Sequence, residues 1–526
     1  MSITSGSFLL FFLVLTIVYF TIPKKTQWTA LLAASLVFYG MAGVMNSIYI
    51  VITAVTVYFA AILIEKNADK QKKWIKENKE ATKEEKSKYK DGMARKRKAL
   101  LVCTLVINIG ILCVFKYTNF VLSQINNISL LFGGAQIADS IKFIVPLGLS
   151  FYTFQTVGYI VDVYWKKVTA QKNFGKMLLF VSFFPQVTQG PISDYSQLSE
   201  QLFSSHSFSY ENFVRGSQRM IWGYAKKLII AETLAPYVAD VFDNYASYTG
   251  ITVFIGALFY SVQIYADFSG YMDIVCGLCE ILGIKLCENF DRPYFSKSIA
   301  EYWRRWHISL GAWFKTYLYY PIAVAKWNQK LGKAAQKRFG KHVGQTIPAS
   351  IALVAVWVTT GLWHGASWGY IAWGGVNGLF IIFSLWMEPV YAKCKKLLRI
   401  NEEKWGWRAF QTIRTFYLVT LIKVLPEVGS LKSGLGLWKQ IFTDYTLPTT
   451  FSQLFPYADK EDLNMIIIGI VLMFTASLIQ RKVSIRTWFA QTCPVPVRFI
   501  VMAVLIIVTI YFGCSGNAGG FLYAQF

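Results

Sequence analysis

Apolar runs separated by short polar connections recur along the whole of this 526-residue chain. They fall at 7–22, 28–44, 48–63, 100–122, 143–163, 251–266, 349–362, 371–386, 410–425, 465–479 and 499–512. Each approaches the length of roughly 20 residues that a helix needs to cross hydrocarbon. Only helices and closed barrels satisfy their backbone inside a bilayer. The pattern therefore predicts an all-α, polytopic integral membrane protein with about 10–12 transmembrane helices in one domain, 1–526. The first run lacks a basic leader and is followed by Ile22-Pro23-Lys24-Lys25 rather than a small-residue cleavage site, so it reads as a retained helix.

Three stretches interrupt the pattern. Residues 66–99 are almost wholly charged or polar with both signs mixed, which predicts a cytoplasmic helical hairpin or a partly disordered insertion. Phe183-Phe184-Pro185-Gln186-Val187-Thr188-Gln189-Gly190-Pro191-Ile192 is apolar but broken by two prolines and a glycine. Such backbone is tolerated at membrane depth only where protein or a water-filled cavity covers it, so a re-entrant or interfacial segment is expected. Residues 213–234 are amphipathic and carry Lys226-Lys227, which suits an interfacial helix.

Composition supports the membrane reading: 54% of residues are hydrophobic and the mean hydropathy is +0.40. The net charge of +24 invites a nucleic-acid role. Its distribution argues otherwise, because Lys and Arg cluster beside apolar runs as the positive-inside bias requires. Lys24-Lys25, Lys166-Lys167, 326–341, 392–408 and 480–498 are thereby placed in the cytoplasm, with both termini external. Eight cysteines are scattered, and Cys276-Gly277-Leu278-Cys279 has no second pair to complete a zinc site. They read as small buried hydrophobes.

Ionisable groups inside apolar sequence are costly and call for a reason. Two of the four histidines qualify: His307 in Trp303-Arg304-Arg305-Trp306-His307 and His364 in Gly361-Leu362-Trp363-His364-Gly365-Ala366-Ser367-Trp368. A buried imidazole stays neutral and so remains available as a base for a hydroxyl group. The alternative for His364 is a structural histidine hydrogen-bonded between helices. Around His307, the arginines and tryptophans suit either an anionic donor or an interfacial anchor with snorkelling side chains. Asp267 and Asp273, in or beside an apolar run, are expected to pair with Arg304 or Arg305, or else to orient a histidine. The histidines lack the spacing of a helical zinc pair, so no metal is expected, and no Walker or nucleophile-elbow motif is present.

In combination these motifs are familiar. Pro146-Leu147-Gly148-Leu149-Ser150-Phe151-Tyr152-Thr153-Phe154-Gln155, Phe183-Phe184-Pro185-Gln186, Gly190-Pro191-Ile192, Tyr265-Ala266-Asp267-Phe268-Ser269-Gly270-Tyr271, Asn289-Phe290-Asp291-Arg292-Pro293-Tyr294 and the two histidine segments occur in order across 143–373. The chain resembles the membrane-bound O-acyltransferase (MBOAT) family, in the bacterial branch that O-acetylates alginate, cellulose and peptidoglycan. The resemblance implies helices around a central tunnel, a catalytic core at 143–373, His364 as base and His307 as the second active-site position. It also implies a tunnel lined by Trp303, Arg304, Arg305, Trp306, Trp363, Trp368, Asp267 and Gln155, which holds an acyl thioester such as acetyl-CoA as co-substrate with no bound cofactor.

The expected activity is transfer of acetyl groups across a bacterial plasma membrane to an exported polysaccharide or to a secreted acyltransferase partner. Thr188-Gln189 departs from the small or apolar residues commoner before this glycine and leaves the acceptor open. D-alanyl transfer from a carrier-protein thioester to teichoic acid is the enzymatic alternative, and a transporter or flippase without covalent chemistry is the alternative of another class. The aromatic tail at 514–526 is expected outside the cell, with Tyr523 as either an acyl relay or a plain anchor.

Overall fold

A computed structural model describes residues 2–143, 145–456 and 460–515. Among them the chain is all α-helical, and the one β feature is an isolated antiparallel bridge between Phe290 and Trp306. Among the described residues six helices are long and apolar enough to cross a membrane: Ser47–Glu77, Lys83–Leu131, Gly250–Ile281, Lys341–His364, Trp368–Trp386 and Val495–Phe512. Gly6–Thr21 and Leu463–Ile479 are shorter apolar helices. The protein is thus an all-α polytopic membrane protein. The apolar runs at 28–44, 143–163 and 410–425 contribute to the helices Gln27–Ala42, Leu149–Tyr164 and Trp405–Lys423. Val102, Val106, Val114 and Val121 on one long helix and Phe499, Ile500, Val504 and Ile507 on the last are exposed. Water would penalise so large an apolar surface, whereas lipid tails match it.

The chain divides into two compact units, Met1–Phe213 with Cys279–Leu286, and Val214–Leu278 with Cys287–Phe526. In the first, Val44–Glu77 and Lys83–Leu131 form a long hairpin. The second of these helices has 49 residues, about 74 Å at 1.5 Å per residue, so it greatly outreaches a hydrocarbon layer of about 30 Å. The charged stretch forms the end of this hairpin. Thr82 and Glu85 close a capping box at the turn, and Trp74 stacks on Tyr89 with ring centroids 4.2 Å apart.

The broken segment of this unit is buried. Helix Phe174–Ser182 gives way to a single turn, Phe184–Val187, whose four residues are all inaccessible. Gln186 takes over the work of the missing ladder: its Nε2 donates to Pro191 O at 3.0 Å and to Ser193 Oγ at 2.5 Å. Gly148 approaches so closely, in a left-handed conformation, that a Cβ there would lie 1.8 Å from Val187 O. The irregular backbone is covered by protein, the condition under which such backbone is tolerated inside a membrane.

In the second unit, helices meet at glycine. A Cβ on Gly223 would fall 2.6 Å from Gly270 O, and one on Gly277 2.5 Å from Gly216 O. This close packing brings helix Tyr210–Ala225 against Gly250–Ile281. The lysines of the amphipathic stretch, which suited an interfacial helix, are buried. Lys226 Nζ donates to Asp273 at 2.7 Å and to Ser269 at 2.8 Å, and Lys227 Nζ donates to Asp267 at 2.7 Å. Carboxylates on the facing helix make this burial possible, because an unpaired ammonium would be prohibitively costly.

Candidate active site

His364 is the last residue of the Lys341–His364 helix. The chain turns extended at Gly365, and the next helix begins at Trp368, where the Ser367 side chain accepts from the Tyr370 N–H. Gly365 is required for this tight corner, because a Cβ would sit 2.1 Å from the Tyr370 ring. The His364 imidazole is therefore boxed by aromatic rings. Trp363 and Trp373 each meet it edge-on at 4.8 Å, and Tyr370 lies nearly parallel at 6.3 Å.

His307 occupies a sharper corner between the helices Ile299–Arg305 and Ile308–Phe314. Its backbone is left-handed, with φ 49°, a conformation that a side-chain-bearing residue adopts only when its surroundings enforce it. The enforcement is visible. Asp291 N–H donates to Arg305 O at 3.0 Å, Ile308 N–H to Asn289 O at 3.1 Å and Ser309 N–H to Asn289 Oδ1 at 2.9 Å. The segment around Asn289 thus runs antiparallel to the histidine corner and fixes it. The ring lies 4.9 Å from Phe268 and 6.2 Å from Trp363. One indole, Trp363, consequently touches both imidazoles.

Only 2% of His307 and 5% of His364 is accessible. Burial pushes the His307 pKa down to about 3, so its imidazole is neutral in ordinary conditions.

The remaining candidates are dispersed. Trp303 donates to Asn377 Oδ1 at 2.9 Å and packs on Trp357 and Trp373, while Trp306 is buried against Phe290, Tyr294 and Tyr302. Trp368 is 53% exposed at its helix start. Arg304 is exposed, and Arg305 is held by Glu301 at 2.7 Å. Asp267 pairs with Lys227, and Asp273 with Lys226 and Arg219, rather than with the two arginines beside His307. Gln155 belongs to the first unit, where its Nε2 donates to Gln186 Oε1 at 3.2 Å. Tyr523 lies outside the described residues.

Four residues near the histidines escaped the sequence reading: Tyr370, Trp373, Lys423 and Glu427. Lys423 carried a usable signal, one of two charges, with Arg414, inside the apolar run 410–425.

Comparison with known proteins adds chemistry. Residues 170–335 match the model for the membrane-bound O-acyltransferase family. The probable alginate O-acetylase of Azotobacter vinelandii is 30% identical over 74% of this chain and 70% of its own length. The peptidoglycan O-acetyltransferase of Helicobacter pylori is 30% identical over 64% of each chain. A teichoic acid D-alanyltransferase of Streptococcus thermophilus is 26% identical over 49% of this chain and 60% of its own.

Proposed function

Because this chain belongs to the membrane-bound O-acyltransferase family, and is an O-acyltransferase of the membrane, we propose that it moves acetyl groups from cytoplasmic acetyl-CoA to the outer face for O-acetylation of an exported cell-envelope polysaccharide. The carrying observation is the pair of buried imidazoles sharing Trp363 in a chain most similar, among these relatives, to O-acetylating enzymes. The D-alanyl relative matches less of the chain at lower identity, which favours the acetyl donor.

In this reading His364 accepts the proton of an acceptor hydroxyl as its oxygen attacks the thioester carbonyl. The resulting tetrahedral intermediate collapses with cleavage of the carbon–sulfur bond, and the imidazolium returns the proton to the departing thiolate. His307, held neutral, offers a ring N–H to the developing oxyanion rather than a positive charge. The surrounding indoles exclude water that would hydrolyse the donor. A tunnel through the bacterial plasma membrane lets donor and acceptor meet, with both termini outside. Tyr523 is a candidate for carrying the acyl group onward to a secreted acyltransferase.

The deciding experiment supplies radiolabelled acetyl-CoA to the cytoplasmic face of membrane vesicles containing the full chain and follows label into envelope polymer. His364→Ala should abolish transfer at unchanged protein level. Normal transfer by that variant removes the base assignment. In a parallel assay with radiolabelled D-alanine on a carrier protein, label entering polymer from that donor and not from acetyl-CoA selects D-alanyl transfer, and passage of an intact polymer without label from either donor selects a flippase. Full acetylation by Tyr523→Phe removes the relay.

A further inference from the structure

The helix Trp405–Lys423 ends in the turn Val424-Leu425-Pro426-Glu427, which places two ionisable side chains four residues apart in the same aromatic region as the histidines. The turn is held rigidly. A Cβ on Gly369 would lie 3.0 Å from Pro426 Cα, and one on Gly434 would lie 2.8 Å from Leu425 O. One turn earlier, Ser261 Oγ bonds to Thr420 Oγ1 at 3.0 Å and ties this helix to Gly250–Ile281.

From that platform the two side chains diverge. Lys423 Nζ lies 4.0 Å from the Trp306 ring centroid and 4.8 Å from that of Tyr294, and it donates to the Tyr294 hydroxyl at 2.8 Å. Tyr294 in turn donates to Ser261 O. Trp306 directly precedes His307 and forms the bridge with Phe290 that shapes the histidine corner. Glu427, four residues on, interacts with the hydroxyls of Tyr260 and Tyr370, which draw its carboxyl down against the effect of burial. Tyr370 is the ring lying parallel to His364. Burial pushes the Glu427 carboxyl up to about 7.

We infer that residues 423–427 form one positioning element for both histidines: Lys423 pins the Trp306 ring beside His307, and Glu427 pins Tyr370 against His364. Each acts through an aromatic neighbour, which explains why a lysine and a glutamate four residues apart serve different aromatic clusters instead of pairing with one another. The inference rests on the reading that the two histidines perform the chemistry.

The test uses the same vesicles and radiolabelled acetyl-CoA, with protein amount and melting temperature measured in parallel. Lys423→Met and Glu427→Gln should each lower kcat about tenfold, the scale of loss when a catalytic group is slightly misplaced, while the KM for acetyl-CoA stays within about twofold. Tyr370→Phe and Tyr294→Phe keep the rings and remove only the hydroxyls, so they report even where a charge substitution prevents accumulation. Tyr370→Phe should reproduce Glu427→Gln, and the double variant should lose no more than either single one, because both remove the same support. Losses from Lys423→Met and Glu427→Gln should multiply, because they reach different histidines. The inference is overturned if Tyr370→Phe and Tyr294→Phe keep the wild-type kcat, or if every loss simply follows protein amount. The two failures are distinguishable: His364→Ala inactive with the tyrosine variants fully active leaves the proposed function standing, whereas an active His364→Ala removes that reading and this one together.

Discussion

Two regions of the second unit bury lysine in opposite ways. Lys226, Lys227 and Lys423 are all at most 6% exposed. The first two meet carboxylates: Asp273 for Lys226, and Asp267 with Glu232 for Lys227. They join the segment after Tyr210–Ala225 to the Gly250–Ile281 helix, and Arg219 strengthens the seam by binding both Asp273 and Glu288. Lys423 instead meets the faces of Trp306 and Tyr294 and a phenolic oxygen, and among the described residues no carboxylate pairs with it. The difference teaches that burial alone does not mark a functional charge. A paired ammonium is explained by the helix it holds, whereas a caged one stiffens the aromatic rings around it and leaves its own cost uncompensated by a counter-ion.

Breaking the paired region should have the largest effect. Asp267→Asn leaves the Lys227 ammonium buried with half its compensation, which costs on the order of 3–5 kcal/mol where one partner of a buried pair is removed. Detergent-solubilised protein should melt far earlier and accumulate poorly. Adding Lys227→Met should recover only part of the loss, because Glu232 then keeps its charge without the ammonium. A melting temperature unchanged by Asp267→Asn would show that the seam contributes nothing. The caged region should answer differently. Lys423→Met strands no carboxylate and relieves the burial of an ammonium, so its stability should stay within about 1 kcal/mol of wild type while turnover falls. Melting curves for the two single variants, measured side by side, decide whether the contrast is real.

His307 extends the contrast to a base whose neutral form is selected by burial. Its pKa falls from 6.5 to about 3 on folding, so between those values the unfolded chain binds more protons than the folded one. Stability should therefore be full above about pH 6.5 and decline as pH falls toward 3. His307→Gln should flatten that part of the profile. Acid melts of equal slope in the two proteins would mean that the imidazole is hydrated in the folded state.

How much of this was legible beforehand follows from where each signal sits. Apolar runs reveal helices because every residue in the run contributes, and the two histidines stood out because ionisable groups are rare in such company. The shared indole at Trp363 was half-visible, since Trp363 and His364 are neighbours in sequence while His307 approaches through a separate corner. Asp267 and Asp273 were noticed but given the wrong partners, because the choice between Arg304 or Arg305 and Lys226 or Lys227 depends on how helices pack at Gly223 and Gly270. Amphipathicity misled at Lys226-Lys227 for the same reason: a charged face looks identical whether water or a carboxylate-bearing helix covers it. Tyr370 and Glu427 carried no pattern of their own, because their roles arise from a glycine corner and a proline turn that bring distant residues together.

The smallest effect, and the finest probe of the caged region, concerns Ser367. Its hydroxyl accepts from the Tyr370 N–H at 3.3 Å and caps the helix whose first turn carries the ring beside His364. Ser367→Ala should cost about 1 kcal/mol, the usual loss for an N-cap, whereas Ser367→Gly should cost only a few tenths. Tyr370 has a second anchor in Glu427, so turnover should change less than about threefold in either variant if that anchor dominates the ring position. With Glu427→Gln already in place the ring depends on the cap alone, and Ser367→Ala should then reduce turnover by more than it does in the wild-type background. Equal effects of the cap in both backgrounds would mean that Glu427 does not hold Tyr370, and that the ring is placed by its packing over Gly365 instead.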